Sequence, residues 1–563
     1  MTEVPNRDPE LVMRLARLGS FHQSRLSFKR VLTRRMAAEG WRFDCTAFEI
    51  DGNGEGHAVY TAQTPERTYS LIGFAHDLPP EKRSDRVIAE AWDATFTLFD
   101  GVPEDADIQR LAQNIPLQEA GRVTGRELSV SRANRSVRLW EHVVASLAAG
   151  DQPEIAQIEA VGYLMRTTAV YGSGKLGAAD REMIADRPEF RVPFQVEMLS
   201  VYLTRWFVTD LVQHMACCRA QQNGTTAAKL APQIARSLGI GNSTGLGMAP
   251  FLLNHPVLFN NWIAARETAL SRVRGIDIAN GADIALFHEL FERTALLFAS
   301  WRSEHPLQRE KLAALQANVA ALRLCLQTID LSAPHPWDRL YQWAEQNLSL
   351  EGQEWVVSLL LEPYGALVDD LAETMAADNT ATFRIAGSMT IADLRALLER
   401  VYHWAIETDW SLPANRARAW YVSEEKLEPR LGERFEEPVE EYEQPLAPGR
   451  DAAALHRALA HWPDDAQVAE FILRHPEHRH ALRRAQIVGR APYAEIRDNT
   501  ISERVMPIDM LRCKLAFFGA TKFDPRSDRW LRICMYGNAP LPQELTSDTA
   551  EYWPYPDLPK GDA

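Results

Sequence analysis

The sequence predicts a mainly α, α+β fold, in which a multi-helix core carries a small antiparallel β-meander from the N-terminal region. Three observations carry that expectation. Between about residues 85 and 420, apolar residues recur at three- and four-residue intervals, the spacing of one helix face. Nearer the N-terminus the period changes: 41–50, 57–64 and 68–78 are rich in aromatic and β-branched residues and are separated by "DGNGEG" and "PER", which is turn chemistry. Finally, 563 residues with 46% hydrophobic and 24% charged side chains suffice for two or three packed units.

In chain order, "LVMRLARLGSFHQSRLSFKRVLTRRMAAEG" reads as one or two amphipathic helices leading into the meander. Helical segments are expected at 136–148, 153–166, 194–220, 256–274, 281–301, 306–329, 351–376 and 391–407. The segment 194–220 is apolar nearly all round, so it should be enclosed by other elements. Residues 423–450 pack nine glutamates and several prolines into an acidic connector with little apolar periodicity. A helical block follows at 451–490, and "RWLRICMYG" at 529–537 is apolar enough to return as a strand to the meander. The tail "YWPYPDLPKGDA" suits a role lying over another surface or another subunit. The expected division is therefore 1–84, 85–422, 423–450 and 451–563.

Charge narrows the function classes. With 76 acidic against 61 basic residues, the net charge of -15 repels a phosphate backbone, and no basic patch offsets it, so nucleic acid is not an expected partner. No apolar run reaches membrane-spanning length: "VVSLLLEPYGALV" is interrupted by Glu362 and Pro363. The N-terminus lacks the apolar segment of a signal peptide. A cytoplasmic location is expected, with the six cysteines reduced, since none form a C-x-x-C pair. The histidine cluster "HPEHRH" lies on an arginine-rich, solvated segment, and only His480 has a glutamate three residues before it. H-E-x-x-H and G-x-S-x-G are absent. No metal or cofactor is expected.

One stretch stands out, "TTAVYGSGKLGAADR" at 167–181. Gly172, Gly174 and Gly177 match G-x-G-x-x-G, but a dinucleotide fold places that motif within alternating strands and helices, with an acidic residue about 20 positions on. Glu197 has the spacing yet opens the most apolar helix. Ala169 and Leu176, in its glycine and hydroxyl slots, count against a nucleotide P-loop. What remains is an anion-holding loop, with Lys175 as point charge, Arg166 as bidentate donor and Thr167 beside it. A second glycine-rich stretch, "LGIGNSTGLGMAPFLLNHP", interleaves Asn242, Ser243 and Thr244 with four glycines, a composition typical of binding loops.

Over about 16 residues this second stretch resembles the Gly-Ser-rich loop that supplies a catalytic serine in fumarase and aspartase enzymes. The resemblance rests on Ser243, on Met248 to Pro250, and on Asn254 with Pro256; the lysine expected between Met-Pro and Asn is missing. It implies lyase-type action on a small carboxylate.

Between the loops, Asp210 and His214 are four apart and share a helix face, as a base and its orienting carboxylate would. A helix of about 24 residues spans roughly 36 Å, so one pocket needs the chain to fold back or a second subunit to contribute. The expected function is an enzyme acting on a small anionic metabolite, carboxylate or phosphate, with lyase-type proton abstraction. Its candidate catalytic residues are Asp210, His214 and Ser243; its candidate binding residues are Arg166, Thr167, Lys175, Asn242 and Thr244. A homo-oligomer is compatible with this reading. The alternatives are a non-enzymatic assembly protein and a dinucleotide-dependent oxidoreductase using the 172–177 loop.

Overall fold

Strands β1 (Arg42–Ile50), β2 (Gly56–Gln63) and β3 (Thr68–Ala75) form the expected hairpins, with one bulge between Cys45 and Ala47. The structure is a computed structural model that describes residues 3–79, 91–113, 124–169, 184, 186–245, 253, 255–376, 386–412, 415, 448–498, 507–527 and 530–559. The meander does not stop at β3. It continues through β4 (Ala94–Asp100), β5 (Glu127–Arg135), β6 (Tyr163–Thr167), β7 (Gly239–Gly245), β8 (Lys522–Ser527) and β9 (Trp530–Met535). Together these make one nine-stranded sheet in the order β1-β2-β3-β4-β5-β6-β7-β9-β8.

This overturns the expected small antiparallel sheet. The sheet is large and mixed, because β6 and β7 run parallel while every other neighbouring pair is antiparallel. The physical reason is burial on both faces. In β4 every residue but the last is buried, and in β5 every residue but one, so neither strand shows the alternation that marks a half-exposed strand. β6 hides at the end of an apparent helical run. Gly162, at φ 82°, caps the helix Ile155–Val161 in the left-handed conformation, and the chain leaves it as strand. "RWLRICMYG" does return to the sheet, as β9 paired with β7.

A parallel pair needs a crossover, and here it contains α2 (Gln195–Gln222), which lies against the sheet from β2 to β7. Gly73 of β3 lets the helix sit down: a Cβ there would stand 3.0 Å from the Phe207 ring. The other helices that position the sites are α1 (Phe28–Ala38), α3 (Pro256–Arg274), α4 (Gly281–Ser300), α5 (Pro306–Leu326), α6 (Leu350–Leu361) and α7 (Pro507–Phe518). A separate apolar cluster, including Leu398, Leu455, Phe471 and Leu482, joins the helices Ile391–Ile406, Pro448–Leu459, Val468–Arg474 and Arg479–Val488. Among the described residues, no helix is long and apolar enough to cross a membrane.

The interior is organised by charge as well as by apolar packing. Glu351, Glu354, Ser358 and Glu362 follow helical spacing, so they form one buried stripe along α6 and its C-cap. The N-terminal segment runs along that stripe. Glu354 accepts from Arg7 (2.8 Å), Arg17 (2.7 Å) and Arg266 of α3. Ser358 donates to the His22 carbonyl at 3.1 Å. Glu362 takes the two Arg30 nitrogens at 2.5 and 2.7 Å and the Tyr555 hydroxyl at 3.0 Å. The aromatic tail therefore covers its own chain, with Trp553 stacked on Tyr536 and Tyr555 buried over Arg30.

The arginines around Glu354 hold its carboxyl well below the usual carboxylate range, against the opposing effect of burial. Its stabilising contribution is therefore present above the ordinary carboxylate value and lost as pH falls through the folded one. Glu354→Gln leaves buried arginines short of a counter-charge, a class of change that costs about 3–5 kcal/mol. Urea unfolding should show a markedly lower midpoint at neutral pH and a smaller difference in acid.

Candidate functional site

The ends of β6 and β7 lie side by side because the two strands are parallel: Tyr163 is opposite Gly239 and Arg166 opposite Gly241. The glycines of β7 serve this contact. A Cβ on Gly239 would stand 2.2 Å from the Met535 carbonyl oxygen, and one on Gly241 would stand 2.7 Å from Arg166 Cγ and from the Tyr163 ring. The second glycine-rich stretch is therefore strand as far as Gly245, not the loop its composition suggested. Glycine here lets a tyrosine and an arginine lie across a strand.

Across this seam Arg166 donates from Nη1 to Ser243 Oγ at 3.1 Å. Asn242 donates from Nδ2 to the Thr167 carbonyl at 2.7 Å and accepts from Lys514 Nζ at 2.9 Å. Successive strand residues point to opposite faces, so Arg166 with Ser243 and Lys514 with Asn242 grip β7 from its two sides. Arg166, Thr167, Asn242, Ser243 and Lys514 are all buried. Thr244 continues the ladder opposite Leu531. Lys175, with the rest of the 172–177 motif, lies outside the described residues, as do Met248 to Pro250 and Asn254.

The structure thus brings Arg166, Thr167, Asn242 and Ser243 together. It does not bring Asp210 and His214 to them. Asp210 accepts from the Tyr60 hydroxyl at 2.8 Å, and burial pushes its carboxyl above the usual range. His214 Nε2 lies 2.8 Å from the Asp51 carbonyl oxygen, with its ring edge-on to Phe48. Both groups face the β1–β2 hairpin. Strands β3, β4 and β5 separate β2 from β6, roughly 19 Å at the usual strand spacing. The shared helix face was correctly read, but each group on it is used by the hairpin. Cys217 and Cys218 are exposed and partly exposed, because α2 emerges from the core toward its end.

Lys514 is the residue that sequence reasoning missed. It sits on α7 between Cys513 and Leu515, in "CKLAFF", and a lone lysine inside so apolar a helix was the available signal. Burial alone moves its ammonium from the ordinary 10.5 down to about 7, with no carboxylate offsetting that cost. A lysine in that condition gives and takes a proton near neutrality.

Two other readings lose ground. Residues 168–194 separate β6 from α2, and the strands around this single crossover are antiparallel, which is not the alternating series a dinucleotide fold requires. Among the described residues no group of three or more His, Cys, Asp or Glu side chains is placed to hold a metal ion. His475 and His478 instead stack on Phe471, with ring centroids 5.0 and 5.8 Å away. No known protein family, curated protein or solved structure matches this chain.

The lysine makes a pH-dependent prediction. Folded, it takes up its proton below about 7; unfolded, below 10.5. Between those values the unfolded chain holds more protons, so this residue makes stability rise with pH, and its cost is complete only below the folded value. Lys514→Met should therefore raise the thermal midpoint, relative to wild type, more at about pH 6 than at about pH 9.5. Calorimetry at the two values checks the difference, and equal shifts would refute the depressed value.

Proposed function

We propose that this protein is an enzyme acting on a small anionic metabolite, a carboxylate or a phosphate, bound where β6 and β7 end. The observation that carries the reading is the parallel pair itself, which gathers Arg166, Ser243, Asn242 and Lys514 from three separated segments. Ligands of α/β sheets favour such carboxyl ends of parallel strands, where neighbouring chains leave in company. In this reading Arg166 grips the anion, assisted by Lys175, which follows β6 in the sequence. Thr167 and Ser243 stand beside Arg166, and Asn242 ties the two strands together. The proton-transfer role assigned from sequence to Asp210 and His214 has no counterpart beside Arg166 and Ser243, because Lys514 meets Asn242 on the other face of β7 and serves to hold the strand in place. Ser243 supplies a hydroxyl for an oxyanion next to the reacting carbon. A guanidinium and a hydroxyl on one face suit the binding and polarising of a carboxylate, which lyase-type chemistry requires.

A thermal-shift panel of small carboxylates and inorganic phosphate tests this directly. A true ligand at a hundred times its Kd stabilises by about 2.7 kcal/mol. The shift should vanish in Arg166→Gln and shrink in Lys175→Ala. Lys175→Ala does not alter the described core, so it keeps the test readable if Arg166→Gln fails to fold. A flat panel on wild type would overturn the reading in favour of an assembly role.

A further inference from the structure

Away from the seam, the first member of the α6 stripe lines a cavity. Glu354 and Glu362 have both carboxylate oxygens engaged, whereas Glu351 accepts from Arg512 of α7 through Oε1 only and its Oε2 has no hydrogen-bond partner. His22 Nε2 stands 3.3 Å from that same Oε1. On Arg512, Nε and Nη1 are likewise without partners, and so is Gln23 Oε1. Glu351 and Arg512 are buried. The guanidinium and His22 hold the Glu351 carboxyl down at about 2, so an ionised pair of opposite charges faces one small space at neutral pH.

The remaining walls are aromatic. Phe298 packs on Trp355 at 5.2 Å, Trp301 lies 5.3 Å from Phe523, and the Trp301 and His22 rings are parallel at 6.1 Å. The clear volume is ≈ 30 Å³, room for two or three groups of water size at roughly 10–15 Å³ each. Trp301 is also a wall of an open groove of ≈ 620 Å³ that runs past Arg302 and Arg309 along the start of α5. A head group of about three heavy atoms fits the inner space, and an aromatic body attached to it would lie against Trp301, the wall that cavity and groove share.

Charge decides the head group. A carboxylate would pair with Arg512 but stand against Glu351, and an ammonium would pair with Glu351 but stand against Arg512; each leaves one buried ion opposed and its open hydrogen-bonding position unfilled. A planar group with one acceptor and one donor side by side satisfies both. We propose that this cavity is a second, distinct binding site, specific for the uncharged primary carboxamide of an aromatic amide.

The test uses the full chain with benzamide as ligand, followed by calorimetry or ligand-observed NMR. Benzoate and benzylamine serve as competitors of the same shape, so their binding elsewhere does not confuse the result. Unpaired buried polar groups cost about 1–3 kcal/mol, so each charged analogue should bind this site roughly five- to hundredfold more weakly than benzamide does. Glu351→Gln removes the opposing charge and should bring benzoate up toward benzamide. Trp301→Ala, at a partly exposed position, should weaken benzamide about tenfold while the chain stays folded. Three analogues of equal strength, no benzamide binding at millimolar concentration, or a Trp301→Ala variant that binds normally would each overturn the assignment. None of these outcomes bears on the anion panel, which reports on the seam.

Discussion

A row of buried carboxylates on one helix holds the distant parts of this chain in register. Glu351, Glu354 and Glu362 are each met by arginines from elsewhere: Arg512 from α7, Arg7 and Arg17 from the N-terminal segment, Arg266 from α3 and Arg30 from α1. Such pairs add little net stability, because removing two charges from water costs nearly what their attraction returns. Their effect lies in what a misplaced segment would cost. If the N-terminal segment slips, Glu354 loses two of its arginines inside the protein; if the tail lifts, Glu362 loses the Tyr555 hydroxyl.

The same ladder places the candidate site. α7 is tied to the helical layer through Arg512 and to the sheet through Lys514 and Asn242. Residues two apart on a helix differ by about 200° in direction, so the two cations reach opposite sides. Docking of Arg512 on Glu351 thereby fixes the depth at which Lys514 enters the sheet. The seam and the cavity lie on two sides of one helix.

The parallel pair is the other constraint. In a sheet built otherwise of antiparallel neighbours, β6 and β7 need the long crossover through α2. That crossover makes the sheet mixed and lets residues 166–167 meet residues 242–243. Gly239 and Gly241 are what the close approach of Arg166, Tyr163 and the Met535 carbonyl requires. They mark a backbone contact, which a composition-based reading mistakes for a loop.

Much of the helical layer was legible, because Pro256–Arg274 or Gly281–Ser300 carries its period within itself. Arg166 and Ser243 could be singled out as residue types, and β9 as an apolar run. β4 and β5 could not be recognised, since strands buried on both faces lose the alternation that identifies them. Asp210 and His214 were placed correctly on one face and given the wrong neighbours, because Tyr60 and Asp51 arrive from a hairpin some 150 residues away. Lys514 was passed over although it is the lone lysine of an apolar helix, because its burial is settled only by the sheet on which that helix packs.

By itself the sequence determined the helices, the hairpin turns of the meander, and the two stretches whose composition is unusual, all of which are set by short-range sterics and periodicity. Tertiary structure alone decided the nine-strand order, the parallel seam, the pairing of each buried carboxylate and the depressed basicity of Lys514. These depend on contacts between segments hundreds of residues apart and on exclusion of water, and neither leaves a local trace along the chain.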